Sequence, residues 1–142
     1  MLLIEDVLIA ARTIYGEARG EPYEGKKAIA HVLINRWERK DGQFGRDDTL
    51  ATACLRHLQF TAWSESDPNF AAMFKVTADD PAFRASWRAV LEAIDEPDPT
   101  KGATHYHTIA KPSYASAWPP VWADKHVPSA TIGHHLFYND VP

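Results

Sequence analysis

At 142 residues with 45% hydrophobic content, the chain has the size of one domain built around one core. Fifteen basic residues against nineteen acidic ones give a formal net charge of −4, which argues against a nucleic-acid binder and against electrostatic docking on an anionic surface. Cys54 is the only cysteine, so no intrachain disulfide can form, and on the face Leu50, Ala53, Cys54, Leu58 it reads as a buried, inert thiol.

The first predicted element is a helix over residues 3–14, because Leu3, Val7, Leu8, Ala11 and Ile14 recur with the 3.6-residue period of one helix face. Gly16 and Gly20 then bracket Glu17 and predict a turn. A carboxyl group half enclosed by Ile14 and Tyr15 would have its charged form disfavoured, as a general acid requires. The competing reading of Glu17 is a solvated surface charge.

A second helix is predicted from Pro22 or Tyr23 to about Arg39, with Ile29, Val32, Leu33 and Trp37 as its apolar stripe and Asn35 and Arg36 on its polar edge. Asp41 to Asp48 reads as a loop. Thr49 can cap a short helix through Leu58, and Asp67–Pro68 and Asp80–Pro81 each mark a further helix start. Phe83, Trp87, Val90, Leu91 and Ile94 define the last helix, with Phe83, Trp87 and Leu91 expected in the core. Ala103 to Ile109 alternates as a strand does, Lys111 to Pro128 is a proline-rich aromatic loop long enough to be functional, and His135 to Tyr138 is a second strand placed to pair with the first. The fold class is therefore α+β, predominantly α: a single domain over residues 1–142, helical with a small C-terminal antiparallel β-element.

Gln59, Phe60 and Trp63 suit the wall of a sugar-binding groove, and so do Tyr106, Trp118 and Trp122; core packing is the competing role for the aromatic residues. The histidines supply a rival chemistry. His105 and His107 fall on one face of a strand and His134 and His135 lie in its partner region, a set from which a zinc site could be drawn, although no His-Glu-x-x-His helix accompanies it. A Gly-x-Ser-x-Gly nucleophile elbow is absent. Glu5 and Asp6 interrupt the apolar stretch 2–11 and no basic segment precedes it, so no signal peptide is expected. No apolar run reaches the roughly 18–20 residues needed to cross a bilayer.

The run Ile14-Tyr15-Gly16-Glu17-Ala18-Arg19-Gly20-Glu21 resembles the opening motif of the cell-wall hydrolase family typified by the catalytic domain of the spore cortex-lytic enzyme. Gly25 and the helix ending in Leu33, Asn35 and Arg36 follow in that family's order. So do Gln59-Phe60-Thr61 with Trp63, then Gly102, Ala103, His105 and Tyr106, then Trp118, and finally Thr131, Ile132, Gly133, His135 and Phe137. At Tyr106-His107-Thr108 the chain departs from the family's usual Tyr-Tyr-Asn-Pro. The resemblance implies a lysozyme-like fold and cleavage of peptidoglycan glycan strands between muramic acid and N-acetylglucosamine.

With one standout carboxyl group, the expected reaction is that of a lytic transglycosylase with Glu17 as acid and base. Tyr15, Glu21, Gln59, Phe60, Tyr106 and Trp118 are the expected substrate-binding residues, with no cofactor and no metal. The alternatives are a muramidase or glucosaminidase using Asp124 or Glu65 as a second carboxylate, a zinc amidase or endopeptidase, and a non-catalytic wall-binding module. A monomer is expected. Made without a signal peptide and acting on the wall, such an enzyme would fit a phage setting with a holin-type export partner.

Overall fold

The computed structural model describes residues 1–45, 48–56 and 63–142. Gln59 and Phe60 lie outside the described residues, as does Leu58. Five α-helices occur among the described residues: α1 (Ile4–Ala18), α2 (Tyr23–Glu38), α3 (Leu50–Leu55), α4 (Phe70–Lys75) and α5 (Pro81–Asp95). They precede three strands, β1 (His105–Thr108), β2 (Ala130–Ile132) and β3 (His135–Tyr138). The α+β class, dominated by helix, stands as expected.

Polar side chains cap several of the helix ends. Asp80 Oδ1 accepts from the main-chain N–H groups of Ala82 and Phe83 at 2.8 and 3.2 Å, with Pro81 in the first helical position. Thr49 caps α3 through the Thr52 N–H at 3.0 Å. Asp6 does double duty: it accepts from Leu3 N at the start of α1 and from Ala51 N in the first turn of α3, so one buried carboxylate ties two helix ends together. Arg12 donates to the carbonyls of Met73, Phe74 and Val76 and closes the C-terminal end of α4.

The core lies between α1, α2 and α5. Ala10, Ala11 and Ile14 meet Ala28, Ile29, Val32 and Leu33, with Phe83, Val90 and Ala93 from α5, Met73 from α4 and Phe137 from β3. The face of α5 differs from the expectation. Leu91 is 46% exposed and Ile94 41%, while Ser86, Ala89, Val90 and Ala93 are buried. Small residues let α5 approach its neighbours closely, and counting only large apolar side chains misplaces that face. Trp87 sits at its edge, against the Phe83 ring.

The sheet has the order β1-β3-β2, with both pairings antiparallel. Tyr106 stands opposite Phe137 and Thr108 opposite His135. The predicted pairing of β1 with β3 is present. The third strand, β2, was not expected: it is three residues long and returns through the two-residue loop Gly133-His134, in which Gly133 has φ +58°.

α1 also runs further than predicted. Gly16 and Glu17 belong to its last turn, and no turn interrupts them. That turn is held from below by Lys26 of α2, whose buried ammonium donates to the carbonyls of Ala18, Arg19 and Glu21 at 3.2, 2.6 and 2.9 Å. The Asn35-Arg36 pair at the far end of α2 fastens the sheet. Asn35 donates to Asp98 and to the Ala103 carbonyl, and Arg36 Nε donates to the Thr104 carbonyl at 2.6 Å. β1 therefore starts at a fixed place beside α2.

Candidate active site

These fastenings leave a cleft of about 470 Å³ between the helical layer and the sheet with its long loop. Gly16 and Glu17 of α1, Arg36 of α2 and Asp67 and Asn69 ahead of α4 form one side. Tyr106, His107 and Thr108 of β1, His135 of β3, and Pro112, Tyr114, Trp118, Pro120 and Trp122 of the loop form the other. One wall is thus polar and charged, the other largely aromatic.

Glu17 is half-buried on the charged side. Its electrostatic neighbours are Arg36 and Tyr106. Burial holds the Arg36 guanidinium below its usual pKa, opposed by Tyr106, Cys54 and the Glu17 carboxylate. Burial pushes the Tyr106 phenol above its usual pKa, and the Glu17 charge pushes it further. Apolar enclosure by Ile14 and Tyr15 is the sequence-based expectation for Glu17; in the structure the carboxyl also meets the Arg36 cation and the Tyr106 phenol. Ile14 is fully buried in the core, and Tyr15 turns to Phe83 and to Asp80 Oδ2, 3.4 Å from its hydroxyl. On the continuous helix α1, Tyr15, two positions before Glu17, points to a different face, whereas Ile14, three positions before it, lies toward the same side one turn earlier.

Tyr106 lines the cleft, packed on Phe137 and edge-on to His135. Trp118 also lines it, with its indole N–H given to the Thr108 carbonyl at 2.8 Å and its ring against His107. Trp122 lies between His105, His107 and Tyr138. Trp63, by contrast, packs on the core and donates to Thr13 Oγ1. Neither Tyr15 nor Glu21 is among the cleft-lining residues. Asp124 and Glu65 are exposed and away from that lining, whereas Asp67 borders it, its Oδ1 accepting from the Asn69 N–H at 2.7 Å.

Glu21 is buried behind the cleft. Its Oε1 accepts from His135 Nδ1 at 2.5 Å and from the His134 main-chain N–H at 3.0 Å, and its Oε2 meets His134 Nδ1. Burial opposes the charge, but the His134 N–H and the two imidazoles outweigh it and hold the carboxyl below its usual pKa. Gly25 and Gly133 leave the space: a Cβ added at either would meet Glu21 Oε1, at 3.2 and 2.9 Å.

The four histidines do not converge. His105 and His107 share one face of β1, as the alternation predicts, and both pack on Trp122. His107 donates from Nδ1 to the Thr108 carbonyl and accepts the Tyr138 hydroxyl at Nε2. His134 and His135 go instead to Glu21. Among the described residues no group of three or more His, Cys, Asp or Glu is placed to hold a metal ion.

Arg36, Asn69, Tyr114 and His135 escaped the sequence reading as cleft residues. Arg36 lay at the predicted polar edge of α2, and a buried arginine near a candidate acid is a signal that could have drawn attention to it.

The family model for cell wall hydrolases matches residues 20–138. The chain belongs to the cell wall hydrolase family. The matched span begins just after Glu17, but relatives align across that residue's helix as well. The spore cortex-lytic enzyme of Halalkalibacterium halodurans is 33% identical over 134 residues, 94% of this chain and 34% of the relative. That of Bacillus subtilis is 33% identical over 136 residues, 93% of this chain and 37% of the relative. The chain thus spans about a third of the length of these curated relatives. Among solved structures, the catalytic domain of the Bacillus cereus SleB protein superimposes with a TM-score of 0.73 at 26% identity, covering 97% of this chain and 92% of that one. The catalytic domain of the germination-specific lytic transglycosylase SleB from Bacillus anthracis gives 0.69 at 28% identity, covering 96% and 95%. No helix among the described residues is long and apolar enough to cross a membrane.

Proposed function

We propose that this domain degrades peptidoglycan by cleaving its glycan strand as a lytic transglycosylase, with Glu17 as the single acid and base. The observation that carries the proposal is Glu17 on the charged wall of a cleft whose opposite wall is aromatic. Aromatic faces suit the C–H sides of sugar rings, and Tyr114, 85% exposed at the cleft rim, and Trp118 offer such faces.

In the proposed reaction, Glu17 gives its proton to the glycosidic oxygen as the bond from that oxygen to C1 of the muramic residue breaks. The C6 hydroxyl oxygen of the same sugar bonds to C1, and its proton returns to Glu17. The product carries a 1,6-anhydro ring and no water is consumed. The carboxylate that exists between the two transfers faces the Arg36 cation, which stabilises it. The resemblance to a domain named as a lytic transglycosylase supports this choice.

Asp67 at the cleft favours a second reading, a two-carboxylate hydrolase in which water attacks C1. Mass spectrometry of muropeptides released from purified walls separates the two. Anhydro-muramic ends are expected; reducing ends would establish the hydrolase, and cut peptides with intact glycan would remove both readings.

A further inference from the structure

Glu21 and the hairpin loop between β2 and β3 form a built unit next to the cleft. One carboxylate, 9% exposed, receives two imidazoles and a main-chain N–H from consecutive residues, in a space kept open by two glycines. Fastening the hairpin to the α1–α2 junction needs only His134, whose N–H and ring engage both carboxylate oxygens. His135 is the unexplained member. It is 6% exposed, its Nδ1 points inward to Glu21 and its ring lines the same cleft as Glu17.

The two ring nitrogens therefore have different surroundings. Nδ1 must carry the hydrogen, because its partner is an ionised carboxylate that can only accept. In the neutral ring that leaves a lone pair on Nε2. No hydrogen-bond partner meets Nε2 among the described residues, and it is not one of the side-chain polar atoms sealed from solvent without a partner. Nδ1 is turned to Glu21, and the His135 ring is part of the cleft lining. Burial keeps the imidazole pKa below its usual value despite the Glu21 charge, so the acceptor form persists at neutral pH. Tyr106, edge-on at 5.1 Å between centroids, holds the ring plane.

We propose that His135 is a substrate-contacting residue whose Nε2 accepts a hydrogen bond from a hydroxyl or amide N–H of the sugar bound beside Glu17, and that Glu21 is the positioning residue that fixes its tautomer. This rests on the glycan-cleaving reading of the cleft for the identity of the ligand. The arrangement resembles a carboxylate orienting a histidine in other active sites, with the imidazole acting here as a hydrogen-bond acceptor.

Three substitutions separate the pair's two roles. His135→Asn keeps a donor at the δ position, and hence the link to Glu21, but has nothing at the ε position. His135→Gln places an amide at the ε position and gives up the δ donor. Glu21→Gln keeps the side-chain volume and removes the charge. The measurements are ring ¹⁵N shifts by NMR, thermal melts, and kcat and KM on purified peptidoglycan, with Glu17→Gln run alongside.

The wild-type ring should show a protonated Nδ1 and an unprotonated Nε2. His135→Asn should melt close to wild type yet lose roughly tenfold in kcat/KM, the scale of one lost hydrogen bond in a dry site. His135→Gln should retain more activity than His135→Asn despite a lower melting point, and Glu21→Gln should mix the tautomers. An Nε2–H tautomer in the wild type, or a folded His135→Asn with unchanged kcat/KM, would overturn the proposal and leave the unit as a fastener. Full activity in Glu17→Gln would instead overturn the role of Glu17, and cut peptides with intact glycan would overturn the glycan-cleaving reading; in either case the tautomer measurement would still report on the Glu21–His135 pair.

Discussion

Lys26 donates its ammonium to the Arg19 carbonyl at 2.6 Å, across the junction of α1 and α2. Together with its bonds to Ala18 and Glu21, this caps the helix end that carries Glu17. A cation at a helix C-terminus is favourable electrostatically, and here it is buried, so its loss would leave three carbonyls without their donor.

Lys26→Met keeps the aliphatic length and removes the donor. The expected cost is about 2–3 kcal/mol of stability, the range for buried polar groups left unpaired. Glycan cleavage by the folded fraction should also fall several-fold as the last turn of α1 loosens. Chemical denaturation beside turnover on purified walls checks both parts; an unchanged midpoint would mean the carbonyls find other donors.

Leu33 is 1% exposed at the centre of the helical layer, whereas Leu91 is 46% exposed. Leu33→Ala should destabilise by about 2–5 kcal/mol through transfer and cavity terms. Leu91→Ala should stay within about 0.5 kcal/mol. Equal effects in parallel melts would contradict the observed face of α5.

Tyr106→Phe removes only a phenol oxygen from the cleft wall and keeps the ring on Phe137 and His135. Turnover should drop by roughly threefold to thirtyfold, as for the loss of one hydrogen-bonding group near the reacting centre, while the melting point moves little. A melting point lowered with turnover per folded molecule unchanged would assign Tyr106 to structure alone.

Stability should fall on acidification. Burial together with Arg36, Arg39 and His126 lowers the His105 pKa from 6.5 to about 4, and burial lowers that of His135 despite Glu21. Below pH 6.5 the unfolded chain takes up protons that the folded one refuses. The stability these groups give is therefore fully present above pH 6.5 and is lost as the pH falls toward 4. Glu21, held below its usual value of 4.5, acts in the same direction at still lower pH. His105→Phe should flatten the slope between pH 6.5 and 4, with a change of about 1–2 kcal/mol after allowance for partial solvent exposure. Melts at fixed ionic strength that show no slope, or a rise on acidification, would contradict this.

The helices were legible because their signals are local. Asp80-Pro81 and Thr49 announce caps, and the stripe Ile29, Val32, Leu33 has the helical period. What depends on distant partners was not. Gly16 resembled a helix end because the Lys26 cap on the carbonyls beyond it is invisible along the chain. Glu21 resembled a cleft residue because its partners, His134 and His135, lie more than a hundred positions away. β2 was too short to show alternation, and only its pairing with β3 makes it a strand. The placing of Arg36 beside Glu17 similarly follows from the packing of α1 on α2, while the aromatic character of the opposite wall was visible in Tyr106, Trp118 and Trp122.

In the proposed reaction Glu17 carries the proton of glycan cleavage. The direct measurement is the initial rate of anhydro-muropeptide release by wild-type protein and by Glu17→Gln, with folding of both verified by thermal melts. Because Glu17 is half-buried in a cleft wall and outside the core, the variant should fold normally. Its rate should fall at least about a hundredfold, the lower end of a general acid–base contribution. A folded Glu17→Gln protein releasing the same anhydro products at the wild-type rate would contradict the account.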